Sequence, residues 1–289
     1  MQGFLRRIGL YHRIKFSVLY DLYWRMADRN LIDNRSTETK FYLLILQGCK
    51  KGDLVFDIGA NIGHKTDIFL RLGAQVLAAE PDKINQEILR QNFLNYRLVR
   101  KPVVIVGKAV SDKIGSRVMW VEEPGSAKNT LNPKWVETLR TDESRFGKII
   151  EFDTKVEVET TTLEELVRSY GRPFYIKIDV EGHEASVLRG LRSIVPFVSF
   201  EVNLPEFRSE AFRCVESLEN LAAGGRFNYT PDVLRGLALE QWLPQGAFVD
   251  TFSKCEESCV EVFWRAPGVH RAAMSEKDGK ILAKGASAS

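Results

Sequence analysis

The ten residues Leu54–Gly63, LVFDIGANIG, constrain this chain more than any other stretch. An apolar run that ends in Asp-x-Gly-x-Asn-x-Gly and passes at once into helix-starting residues describes a buried strand turning tightly into a helix. The glycines tolerate positive φ and let backbone amides approach a ligand, while the helix N-terminus behind them favours negative or hydrogen-bond-accepting groups. The next apolar run, QVLAAE, ends in Glu80, about where a nucleotide-binding βαβ unit sets a carboxylate on ribose hydroxyls. The pattern predicts a turn that cradles a nucleotide-like ligand. Its plainer alternative is an ordinary tight connection between a strand and a helix.

Strands and helices alternate through most of the chain. Helices are expected from Gly63 to about Leu72 with Gly73 as the stop, after Pro81 with the stripe Ile84, Ile88, Leu89 and Phe93, and after Thr161, where Thr161 and Glu164 fit a capping box. Val103–Val110 reads as a third strand, Phe174–Ile178 and Phe197–Val202 as later ones, and Val260–Trp264 as the last. The stretch from Arg226 to Phe252 reads as a short strand near Phe227, a helix after Pro231 and a loop around Pro244. Such alternation predicts a doubly wound α/β fold, its sheet mostly parallel and covered by helices on both faces. Right-handed crossovers then gather the strand-to-helix turns at one edge, where ligands bind near the reversal of strand order.

A second turn follows Ile178 and reads Asp179-Val180-Glu181-Gly182-His183-Glu184. If its strand lies beside the one ending at Asp57, both turns face one cleft. Asp179, Glu181 and His183 alternate along an extended segment, so at least two of them point the same way and can accept a proton. His183 is the first candidate for general base; a capping or packing histidine is the alternative. Lys177 is unexpected in a central strand, where it can snorkel, pair with Asp179 or hold a substrate oxygen.

A chain of 289 residues with a net charge of +3 can bury one large core, and its spread basic residues argue against a nucleic-acid partner. Four irregularly spaced cysteines (Cys49, Cys214, Cys255, Cys259) fit thiols in a reducing compartment. No apolar stretch reaches membrane-spanning length and no signal-peptide core opens the chain, so a cytoplasmic protein is expected. Phe4, Ile8, Tyr11, Ile14, Val18, Leu22 and Met26 recur at helical spacing between basic residues. That helix is expected to pack on the domain, with peripheral membrane contact or a dimer contact as alternatives. Asn34–Ser36 breaks the pattern, and a short helix follows from about Thr39 to Leu46.

These stretches together resemble the FkbM family of S-adenosylmethionine-dependent methyltransferases. The resemblance rests on FDIGANIG at Phe56–Gly63, Glu80-Pro81, Ala109-Val110-Ser111-Asp112 with Gly115, TTLEEL at Thr161–Leu166 and IKIDVEGHE at Ile176–Glu184, and it covers roughly Phe41–Val202. It implies a class I methyltransferase (Rossmann-like) sheet with a last antiparallel strand, and methylation of a hydroxyl oxygen on a small molecule or saccharide. The expected division is an N-terminal helical segment (1–48), a catalytic domain (49–266) whose irregular part 122–155 is a lid or surface insertion, and a flexible tail (267–289). S-adenosylmethionine would meet Asp57, Gly59, Asn61 and Gly63 at its amino-acid end, Glu80 at the ribose, and Ser111 and Asp112 near the adenine. His183, Asp179 and Glu181 form the catalytic set.

Some O-methyltransferases with this sheet hold the acceptor hydroxyl on a divalent ion. Asp179, Glu201 and Asn203 are the corresponding trio here, and such oxygen ligands suit magnesium. The plainer reading of Glu201 is a hydrogen bond to a neighbouring element. Two other function classes stand beside the main one. A dinucleotide-dependent oxidoreductase wants Gly-x-Gly-x-x-Gly, which this turn lacks, and a non-catalytic binding subunit would not need Asp57, Glu80, Asp179 and His183 together.

Overall fold

The computed structural model describes residues 29–94 and 103–269. The basic helix expected over Phe4–Met26 and most of the 267–289 tail lie outside these residues. In chain order the elements are α1 (Arg29–Ile45), β1 (Leu54–Ile58), α2 (His64–Arg71), β2 (Gln75–Ala79), α3 (Lys83–Asn92), β3 (Val103–Val106), β4 (Ala109–Val110) and β5 (Gly115–Val121). Then follow α4 (Pro133–Thr141), β6 (Thr154–Thr161), α5 (Leu163–Tyr170), β7 (Tyr175–Ile178), α6 (Glu184–Arg189), β8 (Phe197–Asn203), α7 (Arg208–Leu221), β9 (Arg226–Thr230), α8 (Gln245–Phe252) and β10 (Cys259–Arg265).

Seven strands form the main sheet in the order β3-β2-β1-β7-β8-β10-β9. The pairs from β3 through β8 are parallel, and β10 runs antiparallel to both β8 and β9. This is the class I methyltransferase arrangement, with its antiparallel strand inserted next to the edge. β1, β2 and β7 are buried at almost every position because helices cover both faces, which is why they read as mainly apolar runs without polar alternation. Strand order reverses between β1 and β7, so the turns after Ile58 and after Ile178 open side by side at the carboxyl edge. Among the described residues no helix is long and apolar enough to cross a membrane, and all four cysteines are free.

Several local expectations change. The stretch Val103–Val110 is two strands: β3 belongs to the main sheet, and β4 pairs with β6 in a separate three-stranded sheet, β4-β6-β5. Gly107 marks the break, where a Cβ would stand 2.6 Å from Gln86 Oε1 of α3. The cap of α5 is Thr162, one residue later than expected; its Oγ1 accepts Glu165 N–H at 3.1 Å. Glu164 instead accepts the backbone N–H groups of Arg192 and Ser193, tying α5 to the turn after α6. No helix follows Pro231, and the helix of this region starts right after Pro244, burying Phe248 and Phe252. On α3 the buried face is Asn85, Gln86, Leu89 and Asn92, while Ile84 is exposed. Polar residues there face the ligand edge of the sheet, which periodicity alone does not reveal.

The irregular part 122–155 carries α4, capped by Asn132, whose side chain accepts Lys134 N–H at 2.9 Å. Its Trp135, Val136 and Leu139 are buried in the same core as β7 and β8. At the other end, α1 runs unbroken through Asn34–Ser36. Phe41 and Tyr42 anchor it on the sheet, and Tyr42 Oη donates to buried Glu261 Oε2 on β10 at 2.8 Å.

Candidate functional site

The two turns touch back to back. Gly59 has φ +80°, and a Cβ on it would stand 1.7 Å from the carbonyl oxygen of Asp179, so only glycine fits. Its N–H and that of Ala60 donate to Ala79 O, while Asp179 N–H donates to Ile58 O, which fixes the first turn between its two neighbours. Asn61 and Glu181, one in each turn, both take positive φ (49° and 53°). Asparagine tolerates this region; for glutamate the strain is about 1–2 kcal/mol and must be held by surrounding contacts.

Glu80 is buried and joins the first turn to the end of β2. Its Oε2 accepts Asn61 N–H and its Oε1 accepts Asp82 N–H, both at 2.8 Å. Burial pushes its carboxyl up to about 7 against these two amides. Asp57, also buried, accepts Thr66 Oγ1 at 2.5 Å, and burial raises its carboxyl while Lys177 opposes the rise.

A cleft of about 700 Å³ lies over these turns, lined among others by Gly59, Asn61, Glu80, Asn85, Asp179 and His183. It continues past Asp57, Lys65 and Lys177. Asn85 Oδ1 is buried and accepts no hydrogen bond among the described residues, leaving an acceptor in the cleft wall for a ligand N–H or O–H. The 122–131 segment crosses the cleft. Asp82 Oδ2 fastens it by accepting Gly125 N–H and Asn129 Nδ2, each at 3.0 Å.

The second turn is gripped from both sides. From the insertion, Thr130 Oγ1 donates to Glu181 O at 2.7 Å, Asn132 Nδ2 donates to Gly182 O, and Trp135 Nε1 donates to Glu181 Oε2 at 2.9 Å. From α6, Glu184 Oε1 accepts the N–H groups of Val180 and Gly182. Lys177, buried in β7, donates from Nζ to Asp179 Oδ2 at 2.8 Å. Burial opposes its charge, but Asp179, Glu261, Glu201 and Asp57 together hold it above the ordinary lysine range.

Beyond the turn a second, open cavity of about 1380 Å³ is lined by Glu181, Glu201, Asn203, Arg145, Arg208 and Cys259, among others. Glu181 lines both cavities. Carboxylate oxygens of Asp179, Glu181 and Glu201 lie within 4.8 Å of one another. The charge of Asp179, then burial, pushes Glu201 up to about 8; burial, then Asp179 and Glu201, raises Glu181 well above the carboxylate range.

The sequence candidates therefore divide. Asp57, Gly59, Asn61, Glu80, Asp179, Glu181 and Glu201 line the two cavities. Gly63 does not line them; it opens α2 with φ +90°, and a Cβ there would stand 2.4 Å from the Phe93 ring. Ser111 and Asp112 do not line them either. Ser111 Oγ lies 3.0 Å from His183 Nε2, and burial and nearby Arg117 lower this imidazole to about 4. His183 lines the first cavity only. Asn203 lines the second cavity beside Glu201, and Glu181 joins Asp179 and Glu201 in a three-carboxylate cluster. Reasoning from sequence missed Asn85 and Asn129, and did not foresee that Trp135 reaches Glu181. Polar positions on the inner face of α3 carried the only signal for the first.

Residues 57–230 match the family described as methyltransferase FkbM domain. The hexuronic acid methyltransferase AglP of Haloferax volcanii is 26% identical over 183 residues, 62% of this chain and 64% of that protein, so the match spans less than two thirds of the relative. Among solved structures, a TehB-like S-adenosylmethionine-dependent methyltransferase from Corynebacterium glutamicum is similar with a TM-score of 0.39 and 12% identity, covering 86% of this chain and 98% of the other. A precorrin-6y C5,15-methyltransferase from Geobacter metallireducens gives a TM-score of 0.37 and 10% identity, covering 80% and 86%. The family match extends over more than half the chain and contains both turns, and on it the chain belongs to the FkbM methyltransferase family.

Proposed function

We propose that the protein transfers a methyl group from S-adenosylmethionine to a hydroxyl oxygen of a saccharide or related small molecule. The observation that carries this reading is the meeting of two cavities at one carboxylate, Glu181, with the nucleotide-type turn on one side and an open polar chamber on the other. The saccharide class takes support from the relative whose name specifies a hexuronic acid.

The first cavity fits the donor. Glu80 keeps a free lone pair on each oxygen beyond its two backbone amides and would take the ribose hydroxyls. Asp57, Gly59 and Asn61 would hold the amino-acid end, and Asn85 Oδ1 would gain its missing donor. When bound, S-adenosylmethionine supplies an activated sulfonium methyl, whose passage to oxygen leaves a thioether and frees the acceptor's hydroxyl proton. The chain's part is to align the acceptor, keep water out and receive that proton. Glu201, raised to about 8, suits proton exchange near neutral pH better than His183, which is lowered to about 4 and faces Ser111.

A second reading rests on the carboxylate cluster. Asp179, Glu181 and Glu201 would hold a divalent ion such as magnesium, which would acidify the acceptor hydroxyl. Incubation of the full chain with methyl-labelled S-adenosylmethionine and a panel of saccharides tests the main proposal. Label in an alkali-stable ether product is expected, and failure of the chain to bind S-adenosylmethionine sinks it.

A further inference from the structure

Building on that methyl transfer, we infer that the acceptor is an uncharged or amine-bearing sugar, with an amino sugar favoured over a uronic acid. The second cavity is rich in carboxylates: besides Glu181 and Glu201, it is lined by Asp142, Glu206, Glu256 and Glu257. The only cations lining it among the described residues are Arg145 and Arg208, and both are consumed within the chain. Arg145 donates to the carbonyl oxygens of Leu204 and Ser258 and to the Glu206 carboxylate, and lies over the Trp135 ring at 5.6 Å. Arg208 donates to the carbonyl oxygens of Phe252, Ser253 and Cys255 at 2.6–3.0 Å.

These two guanidinium groups staple the loop before β10 to the end of β8 and the start of α7. They serve as structural clamps, Arg145 with its charge paired to Glu206 and Arg208 with its N–H groups turned to backbone carbonyls. A sugar carboxylate entering here would lose hydration, face the like charges of Asp142, Glu256 and Glu257 at the chamber's margin, and find both guanidinium groups already hydrogen-bonded within the chain. Hydroxyl and ammonium donors would instead meet carboxylate acceptors, the charge-assisted pairing that is stronger than a neutral one. The exposed Glu256 and Glu257 extend this bias to the rim, where they would steer a cation toward the chamber.

The test uses the full chain, S-adenosylmethionine and constant magnesium. The acceptors are matched methyl glycosides of the gluco, galacto and manno series that differ only in the exocyclic group: aminomethyl, hydroxymethyl or carboxylate. The expected order of kcat/KM is amine, then hydroxyl, then carboxylate, with about tenfold between the extremes at low salt and less at high salt. Joint Glu256→Lys and Glu257→Lys replacement is expected to shift the amine-to-carboxylate ratio several-fold toward carboxylate. A carboxylate sugar used as well as its amine counterpart overturns the inference, as does turnover of none of the series by protein that still binds S-adenosylmethionine. Loss of that binding itself brings down the underlying function instead.

Discussion

Trp135 donates its indole N–H to Glu181 Oε2 at 2.9 Å, so a residue of the insertion holds the carboxylate that separates the two cavities. Glu181 already sits at φ 53°, and the indole fixes which way its strained side chain points. Trp135→Phe keeps most of the apolar volume and removes only the donor. Loss of a hydrogen bond to a buried carboxyl costs about 1–3 kcal/mol, so turnover should fall by about tenfold or more. Calorimetry should find S-adenosylmethionine affinity nearly unchanged; equal loss of both would mean the tryptophan merely supports the fold.

Gly59→Ala drives a methyl group against the Asp179 carbonyl at 1.7 Å. Neither partner is a movable side-chain tip, so the turns must part, at a cost on the order of 3 kcal/mol or more. Gly224→Ala is the natural control, since it shares a positive φ (+89°) but meets nothing within 4 Å, and about 1 kcal/mol is expected there. Urea unfolding of both variants distinguishes crowding from backbone strain, and similar losses in the two would refute the back-to-back packing.

Burial raises Glu80 from 4.5 to about 7. A carboxyl whose folded value lies above its unfolded one withdraws stability as pH climbs from about 4.5 to about 7, and its contribution is level beyond that. Ribose hydroxyls require the ionised acceptor, so donor binding should follow the opposite course and tighten about tenfold between pH 6 and 8. Titration calorimetry across that interval should show the trend in the native protein and a flat profile in Glu80→Gln. A flat native profile would place the ribose elsewhere.

Lys177→Met leaves Asp57, Asp179 and Glu201 without the buried cation that offsets them. Since Asp179 retains 27% side-chain exposure, water relieves part of the penalty, and about 2–4 kcal/mol of destabilisation is expected. Differential scanning calorimetry should record the loss, growing as pH rises and more of these carboxyls ionise. An unchanged Tm would show that the lysine is dispensable to the sheet.

Chelation separates the two readings of the carboxylate cluster. If a divalent ion sits on Asp179, Glu181 and Glu201, EDTA should abolish turnover and magnesium should restore it. Undiminished turnover in EDTA, combined with loss of activity in Glu201→Gln, would assign the proton directly to the carboxylates.

Much of this was legible in the sequence because the parallel strands are buried on both faces. LVFDI, QVLAA and YIKI announce themselves as mainly apolar runs, broken only by Asp57, Gln75 and Lys177, and the glycine turn follows from positions that accept no side chain. What remained hidden depends on contacts distant in the chain. Trp135 reads as an isolated aromatic until α4 brings it to Glu181, and the polar inner face of α3 has no periodicity to betray it. His183 looked like a free base because nothing in its own segment shows Ser111, 72 residues earlier, waiting for its ring. Glu181 joins Asp179 and Glu201 from an αL backbone, a departure from the alternation assumed for an extended segment.

Pairing of β1 with β7 brings Val55 beside Tyr175 across a long intervening crossover, small sheet and insertion included. The donor cleft therefore depends on a long-range contact, a kind that closes slowly. A folding intermediate in which β1–β3 have paired alone would offer the glycine turn without its back wall. Ligand added during refolding would then act as a trap for finished molecules and leave the early steps unaccelerated, which makes its capture a clock for the last event in folding.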